Sequence, residues 1–205
     1  MSFCLPASPT AAQLFDPAKV GPPLSNAPAE LYLPSGFAPE GAVVVLHGCN
    51  GVGPHDRWWA LRLTEWGFAA LLIDSFGPRG FTEVCNRGRL VPPAARARDA
   101  FDGAAYLRAT PEVRASSPLE TDTLILIGDA DDWTPAARCA RWRDAAQTNG
   151  HTLQMKTYPG ARHAFDALSA PHSFAGHYIG QDPAAMADSF IETRAFLSER
   201  LVPAR

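Results

Sequence analysis

Three aspartates stand together at the end of an apolar run. The stretch TLILIGDADDWTP, residues 123–135, carries Asp129, Asp131 and Asp132. Further on, YPGARHAFD places His163 after another strand-like run, Thr152 to Tyr158. A carboxylate after one strand and an imidazole after the next, with a helix between, suits an acid–base pair. The carboxylate accepts a hydrogen bond from one ring nitrogen, and the other nitrogen is left to take a proton from a nucleophile. Each residue alone has a simpler explanation: Asp131 caps the following helix, and His163 is a loop histidine. The order strand–Asp–helix–strand–His favours pairing Asp131 with His163. A third stretch, HGCNG at 47–51, sets Gly48 and Gly51 after an apolar run, where backbone N–H groups can face a developing oxyanion. A tight turn would need the same small residues.

The elements that must hold these groups can be read from apolar patterning. Ala42 to Leu46 and Phe68 to Ile73 are continuous apolar runs, as expected of parallel strands covered on both faces. Glu30-Leu31-Tyr32-Leu33 alternates and predicts an edge strand. Asp56 is placed to cap the helix RWWALRLTEW, which Gly67 ends. Ala97, Phe101, Ala104 and Leu107 recur at helical spacing through RARDAFDGAAYLR. Thr134 and Pro135 predict a helix start, with Thr134 as N-cap and Pro135 in the first turn. A long loop carries His172 and His177. Asp182-Pro183 then opens the last helix, with Ala187, Phe190, Ile191 and Leu197 as its apolar face. Strands alternating with helices predict an α/β domain with a mainly parallel sheet flanked by helices, and working residues beyond the carboxyl ends of the strands. The loops 47–51, 74–80, 129–135 and 159–165 are expected there.

Bulk properties narrow the field. A chain of 205 residues, 46% hydrophobic and 19% charged, fits one soluble domain over 1–205, with 1–29 as an irregular Pro- and Ala-rich arm. A net charge of −3 leaves no basic footprint for nucleic acid or an anionic membrane. No apolar run reaches the roughly 20 residues of a membrane span, and the first residues lack the pattern of a secretory signal. A cytoplasmic setting is therefore expected. Cys4, Cys49, Cys85 and Cys139 form no CxxC or zinc pattern. They read as thiols, with a Cys49–Cys85 disulfide as the one alternative, since both follow strands of the same expected sheet.

At these residues the chain resembles the dienelactone hydrolase family of α/β-hydrolases. The resemblance rests on VVVLHGCNGVGPHDRWWALRLTEWGFAALLIDSFGPRG, LILIGDADDWTP and YPGARHAFD, and spans most of residues 30–201. It implies an α/β-hydrolase-like fold and hydrolysis of small esters or lactones through an acyl-enzyme, with no cofactor. Asp131 would be the triad acid, standing four residues before Pro135, and His163 the base. Cys49 would lend its backbone N–H to the oxyanion hole. Arg79 would receive a substrate carboxylate.

The same resemblance exposes a gap. The family's nucleophile sits in an elbow, G-x-[CS]-x-G, on a sharp strand-to-helix turn. It should fall between the helix ending near Thr110 and the strand beginning at Thr123, where this chain reads PEVRASSPLETD. A strand, a helix and a second strand need on the order of 35 residues. The central strand–helix–strand unit is therefore expected to be missing, the fold shortened, and hydrolysis reduced or absent. A non-catalytic ligand-binding remnant is the alternative. Cys85 is the first substitute nucleophile to consider, then Ser75, Ser116 and Ser117. Apolar strands left without neighbours would be covered by resealing of the sheet or by pairing of two chains into a homodimer.

Two other chemistries are weaker. Gly48, Gly51 and Gly53 after a strand, with Asp74 at the end of the next, resemble a dinucleotide fingerprint. Pro54-His55 separates those glycines from the helix. The histidines make no short-spaced ligand pair for a metal.

Overall fold

The computed structural model of this chain describes residues 13–14, 29–111, 113, 122–145 and 150–202. They fall into two compact units, residues 1–117 with 201–205, and residues 118–200.

In the first unit, β1 (Gln13–Leu14), β2 (Ala29–Tyr32), β3 (Gly41–Leu46) and β4 (Phe68–Ile73) form one sheet in the order β1-β2-β4-β3. β3 and β4 run parallel, with Leu46 opposite Ile73, so their loops leave at the same edge. β2 is antiparallel to β4, and β1 is antiparallel to β2. β2 is thus an inner strand, not the expected edge, and the N-terminal arm contributes a paired segment. Every residue of β4 is buried, which explains its unbroken apolar run. Ala69, Leu71 and Ile73 pack with Ala29, Leu31 and Leu107 in one core cluster. Each large side chain there contributes about 1.5–3 kcal/mol through burial.

Helix α1 spans Pro54–Glu65 and α2 spans Pro93–Ala109. α1 begins before Asp56. Gly53 is its cap residue, and Asp56, one turn in, takes the Gly53 N–H at 2.8 Å. The acid therefore stabilises the helix start from inside the first turn. α2 buries Asp99, Gly103, Ala104 and Leu107, while Phe101 is 62% exposed. Ala104 and Leu107 keep the expected apolar face, but Ala97 and Phe101 turn away from it and Asp99 joins the buried side, where a partner distant in sequence meets it.

In the second unit, β5 (Thr123–Gly128) and β6 (Leu153–Tyr158) form a parallel ladder, with Gly128 opposite Tyr158. Helix α3 spans Ala136–Ala145. The segment expected as a loop around His172 and His177 is a hairpin, β7 (His172–Phe174) against β8 (His177–Ile179). Helix α4, Pro183–Leu201, buries Ala185 and Ser189 and leaves Ile191 exposed, another departure from the expected face. Tyr158, Ala161, Phe165 and Ala185 form this unit's core with Leu126. Among the described residues no helix is long and apolar enough to cross a membrane.

Candidate active site

The loops that leave β5 and β6 are clamped together by backbone. Ala130 N–H donates to the Ala161 carbonyl at 3.0 Å, and Asp129 N–H donates to that of Tyr158 at 3.1 Å. The approach demands glycine at 128, where a Cβ would stand 2.0 Å from the Ala161 oxygen. This clamp brings the acid loop and the histidine loop side by side.

Each of the three aspartates then has its own partner. Asp129 Oδ1 accepts the Gly160 N–H at 2.7 Å and holds the exit of β6. Asp132 Oδ1 meets His177 Nδ1 at 3.2 Å. Asp131, 6% exposed, meets His163: the distance from Oδ2 to Nδ1 is 3.0 Å. Its Oδ1 accepts the N–H groups of Trp133 and Thr134 at 2.9 and 2.7 Å, and Oδ2 also accepts the Thr134 hydroxyl at 2.6 Å. Asp131 therefore closes its own turn ahead of α3, which begins at Ala136, instead of capping that helix, and it pairs with His163 through Oδ2. Thr134 serves the turn by binding this carboxylate.

Burial pushes the Asp131 carboxyl up, but the Thr134 hydroxyl, the Thr134 N–H and His163 outweigh it and hold the group below the usual carboxylate range. An ionised acceptor on Nδ1 fixes the tautomer with the proton there. Nε2 is left with its lone pair. His163 is itself anchored by main chain, its carbonyl accepting the Gly180 N–H at 3.0 Å. The next residue, Ala164, has φ +55°, a left-handed conformation uncommon for a residue with a Cβ.

The first unit corrects several expectations. Cys49 and Cys85 form a disulfide that closes a 36-residue separation. Cys85 therefore has no thiol to act as a substitute nucleophile. The Cys49 carbonyl accepts the Val84 N–H at 2.8 Å, so the HGCNG loop is tied to the segment around Cys85 by main chain as well. Cys139 is a free cysteine. Ser75 is wholly buried, with its N–H on His47 Nε2 at 3.0 Å, and cannot meet a substrate. Ser116 and Ser117 lie outside the described residues.

Arg79 is also committed elsewhere. Its Nη1 and Nη2 grip the two oxygens of buried Asp99 at 2.7 and 2.9 Å, and Nη1 reaches the Ser75 carbonyl at 2.6 Å. The hydrogen bonds that the guanidinium donates to Asp99 raise its pKa against the opposing effect of burial. The expected substrate-carboxylate anchor is a structural ion pair instead.

Gly51, Gly53 and Asp74 of the dinucleotide reading are committed elsewhere as well. The Gly53 N–H is taken by the Asp56 carboxylate, which would repel a phosphate. Gly51, at φ +77°, serves a close approach to the Thr82 carbonyl, 2.5 Å from where a Cβ would lie. Asp74 Oδ1 accepts the N–H groups of Phe76 and Gly77 at 2.9 Å each and so closes its own turn.

Several solved structures share this architecture. A dienelactone hydrolase-like promiscuous phosphotriesterase from metagenomic libraries superposes with a TM-score of 0.69 at 19% identity, over 94% of this chain and 98% of that one. Dienelactone hydrolase from Anabaena variabilis gives 0.56 at 20% identity, over 94% and 99%. A thermophilic esterase from Thermogutta terrifontis gives 0.55 at 14% identity, over 95% and 97%. These likenesses establish the α/β-hydrolase fold. Among curated proteins nothing matches. The family model described as "Dienelactone hydrolase family" matches residues 79–201, more than half of the chain. This chain belongs to the dienelactone hydrolase family.

Proposed function

We propose that this protein acts on small esters or lactones with the acid–base half of its family's machinery, Asp131 and His163, and without the elbow that carries the nucleophile. The observation that carries the reading is the 3.0 Å contact between His163 Nδ1 and Asp131 Oδ2 at the carboxyl ends of β5 and β6.

His163 Nε2 takes a proton from water as the water oxygen bonds to the ester carbonyl carbon. The carbonyl electron pair moves onto oxygen, where a backbone N–H donor stabilises the charge that develops. Collapse of the tetrahedral species breaks the bond to the alkoxy oxygen, which receives the proton back from the imidazolium. An ester yields acid and alcohol, and a lactone yields one hydroxy acid. Asp131 stays ionised throughout and stabilises the imidazolium. Without a covalent acyl-enzyme one difficult step is not divided into two easier ones, so turnover is expected to be slow.

The missing G-x-[CS]-x-G equally suits ligand binding without turnover. Hydrolysis of p-nitrophenyl acetate by purified, folded protein beside His163→Ala separates the two readings. Slow turnover lost in the variant supports the hydrolase. Equal rates for both proteins reject it and leave binding. Adding reductant tests whether freeing the Cys85 thiol creates a faster route.

A further inference from the structure

The reading above uses one histidine and one aspartate of this region, yet the structure holds a second such pair beside it. His177, at the start of β8, is bonded at Nδ1 to Asp132. Its ring stacks on the indole of Trp133, with centroids 4.6 Å apart and planes 13° from parallel. The same indole meets the His163 ring at 5.0 Å and 37°, and Phe174 of β7 at 6.0 Å. Both imidazoles thus pack on one indole, and each is tied to one of two adjacent acids.

The two contacts of His163, to Asp131 Oδ2 at 3.0 Å and to the Thr134 hydroxyl at 3.2 Å, both fall on Nδ1 and so hold the ring at one corner only, leaving its plane to be fixed by other groups. A flat group packed on the ring fixes that plane, and Trp133 is so placed. Trp133 in turn needs something to hold it, since it lies on a bend and not in a helix. The hairpin supplies that support and is itself fastened to the histidine loop. Gly180 N–H binds the His163 carbonyl, and Ile179 bridges His163.

We propose that His177 is a positioning residue: anchored by Asp132 and stacked on Trp133, it clamps the indole against His163 and fixes the plane of the His163 ring. The charged groups around the stack are the carboxylates of Asp131 and Asp132. Arg162, whose guanidinium covers Tyr178 at 4.8 Å, adjoins it. The consequence for turnover rests on the proposed role of His163, but the placement of its ring does not.

The test is imidazole NMR on ¹⁵N-labelled protein, beside ester hydrolysis. The ring protons of His163 should carry an upfield ring-current shift from Trp133. His177→Ala is expected to lose much of that shift and to lower kcat about 10- to 100-fold with KM little changed, as for a misplaced catalytic group. His177→Phe, which can stack without bonding to Asp132, should restore the shift and most of kcat. If His177→Ala fails to fold, His177→Phe and Asp132→Asn carry the test, the latter losing part of the shift. An unaltered His163 spectrum in folded His177→Ala overturns the proposal, as does a His177→Phe protein that folds without recovering the shift. If wild type and His163→Ala hydrolyse esters equally, the functional reading falls while the spectra still judge the clamp.

Discussion

His163 Nδ1 and the Thr134 hydroxyl converge on the same oxygen of Asp131, at 3.0 and 2.6 Å. That oxygen is therefore saturated by donors and is held as an anion facing one nitrogen of the ring. Replacing Asp131 by Asn would offer an amide in its place and favour the wrong imidazole tautomer. Any His163-dependent ester turnover should fall to the level of His163→Ala. The tautomer is read directly from ¹⁵N shifts, and an unchanged Nδ1–H form in Asp131→Asn would refute the pairing.

The depressed pKa of Asp131 also sets a pH dependence of stability. A carboxyl whose folded value lies below its unfolded one stabilises fully above the unfolded value, about 3.9. That contribution is lost as pH falls through the folded value. Below about pH 4 the wild-type thermal midpoint should therefore fall more steeply than that of Asp131→Asn, which has no such proton to bind. Parallel curves would show that the carboxylate contributes nothing net.

Arg79 and Asp99 make the second strong claim. Asp99 is fully buried, and Arg79 supplies both of its charge-assisted bonds. Arg79→Ala should destabilise by about 3–5 kcal/mol, the usual consequence of stranding a buried charge. Adding Asp99→Asn should recover part of the loss, which a double-mutant cycle in denaturant measures. Additive losses would mean that the pair is not coupled.

Reduction of the Cys49–Cys85 bond releases a long loop in the unfolded chain. Loop-closure arguments put its stabilisation at about 2–4 kcal/mol. Cys49→Ser with Cys85→Ser should show that loss without reductant, and wild type only with it. A wild-type midpoint indifferent to reductant would argue against the bond.

Gly128 has no room for a side chain, because the Ala161 carbonyl occupies the site of its Cβ. Gly128→Ala should cost about 1–3 kcal/mol in denaturant unfolding, or more if the loops separate. It should also disturb the His163 ring signals, since the same clamp sets His163 beside Asp131. A silent substitution would mean that the loops are held by something else.

Much of this protein was decided by local sequence. The run FAALLI is β4 to the residue, because a strand buried on both faces has no need of alternation. Family membership, the Asp131–His163 pair and the missing G-x-[CS]-x-G were equally legible, since strand–loop spacing and short motifs are local patterns. What the periodicity of α2 and α4 could not supply was the direction of the buried face. Phe101 and Ile191 are exposed while Asp99 and Ser189 are buried. A 3.6-residue period marks amphipathic stripes, but the covering elements choose among them.

The fates of individual side chains were decided only in three dimensions. Arg79 reaches Asp99 across twenty positions, Cys85 reaches Cys49, and His177 returns across 45 positions to Asp132. Strand positions offered the Cys49–Cys85 bond only as an alternative to free thiols, and the other two pairings follow from no propensity or motif of either partner. Each depends on where topology returns the chain, and there a charge or a thiol takes whichever partner lies within bonding distance. Hence the sequence alone could pair Asp131 with His163, while tertiary contacts committed Arg79 and Cys85 to other partners and set Trp133 and His177 beside the His163 ring.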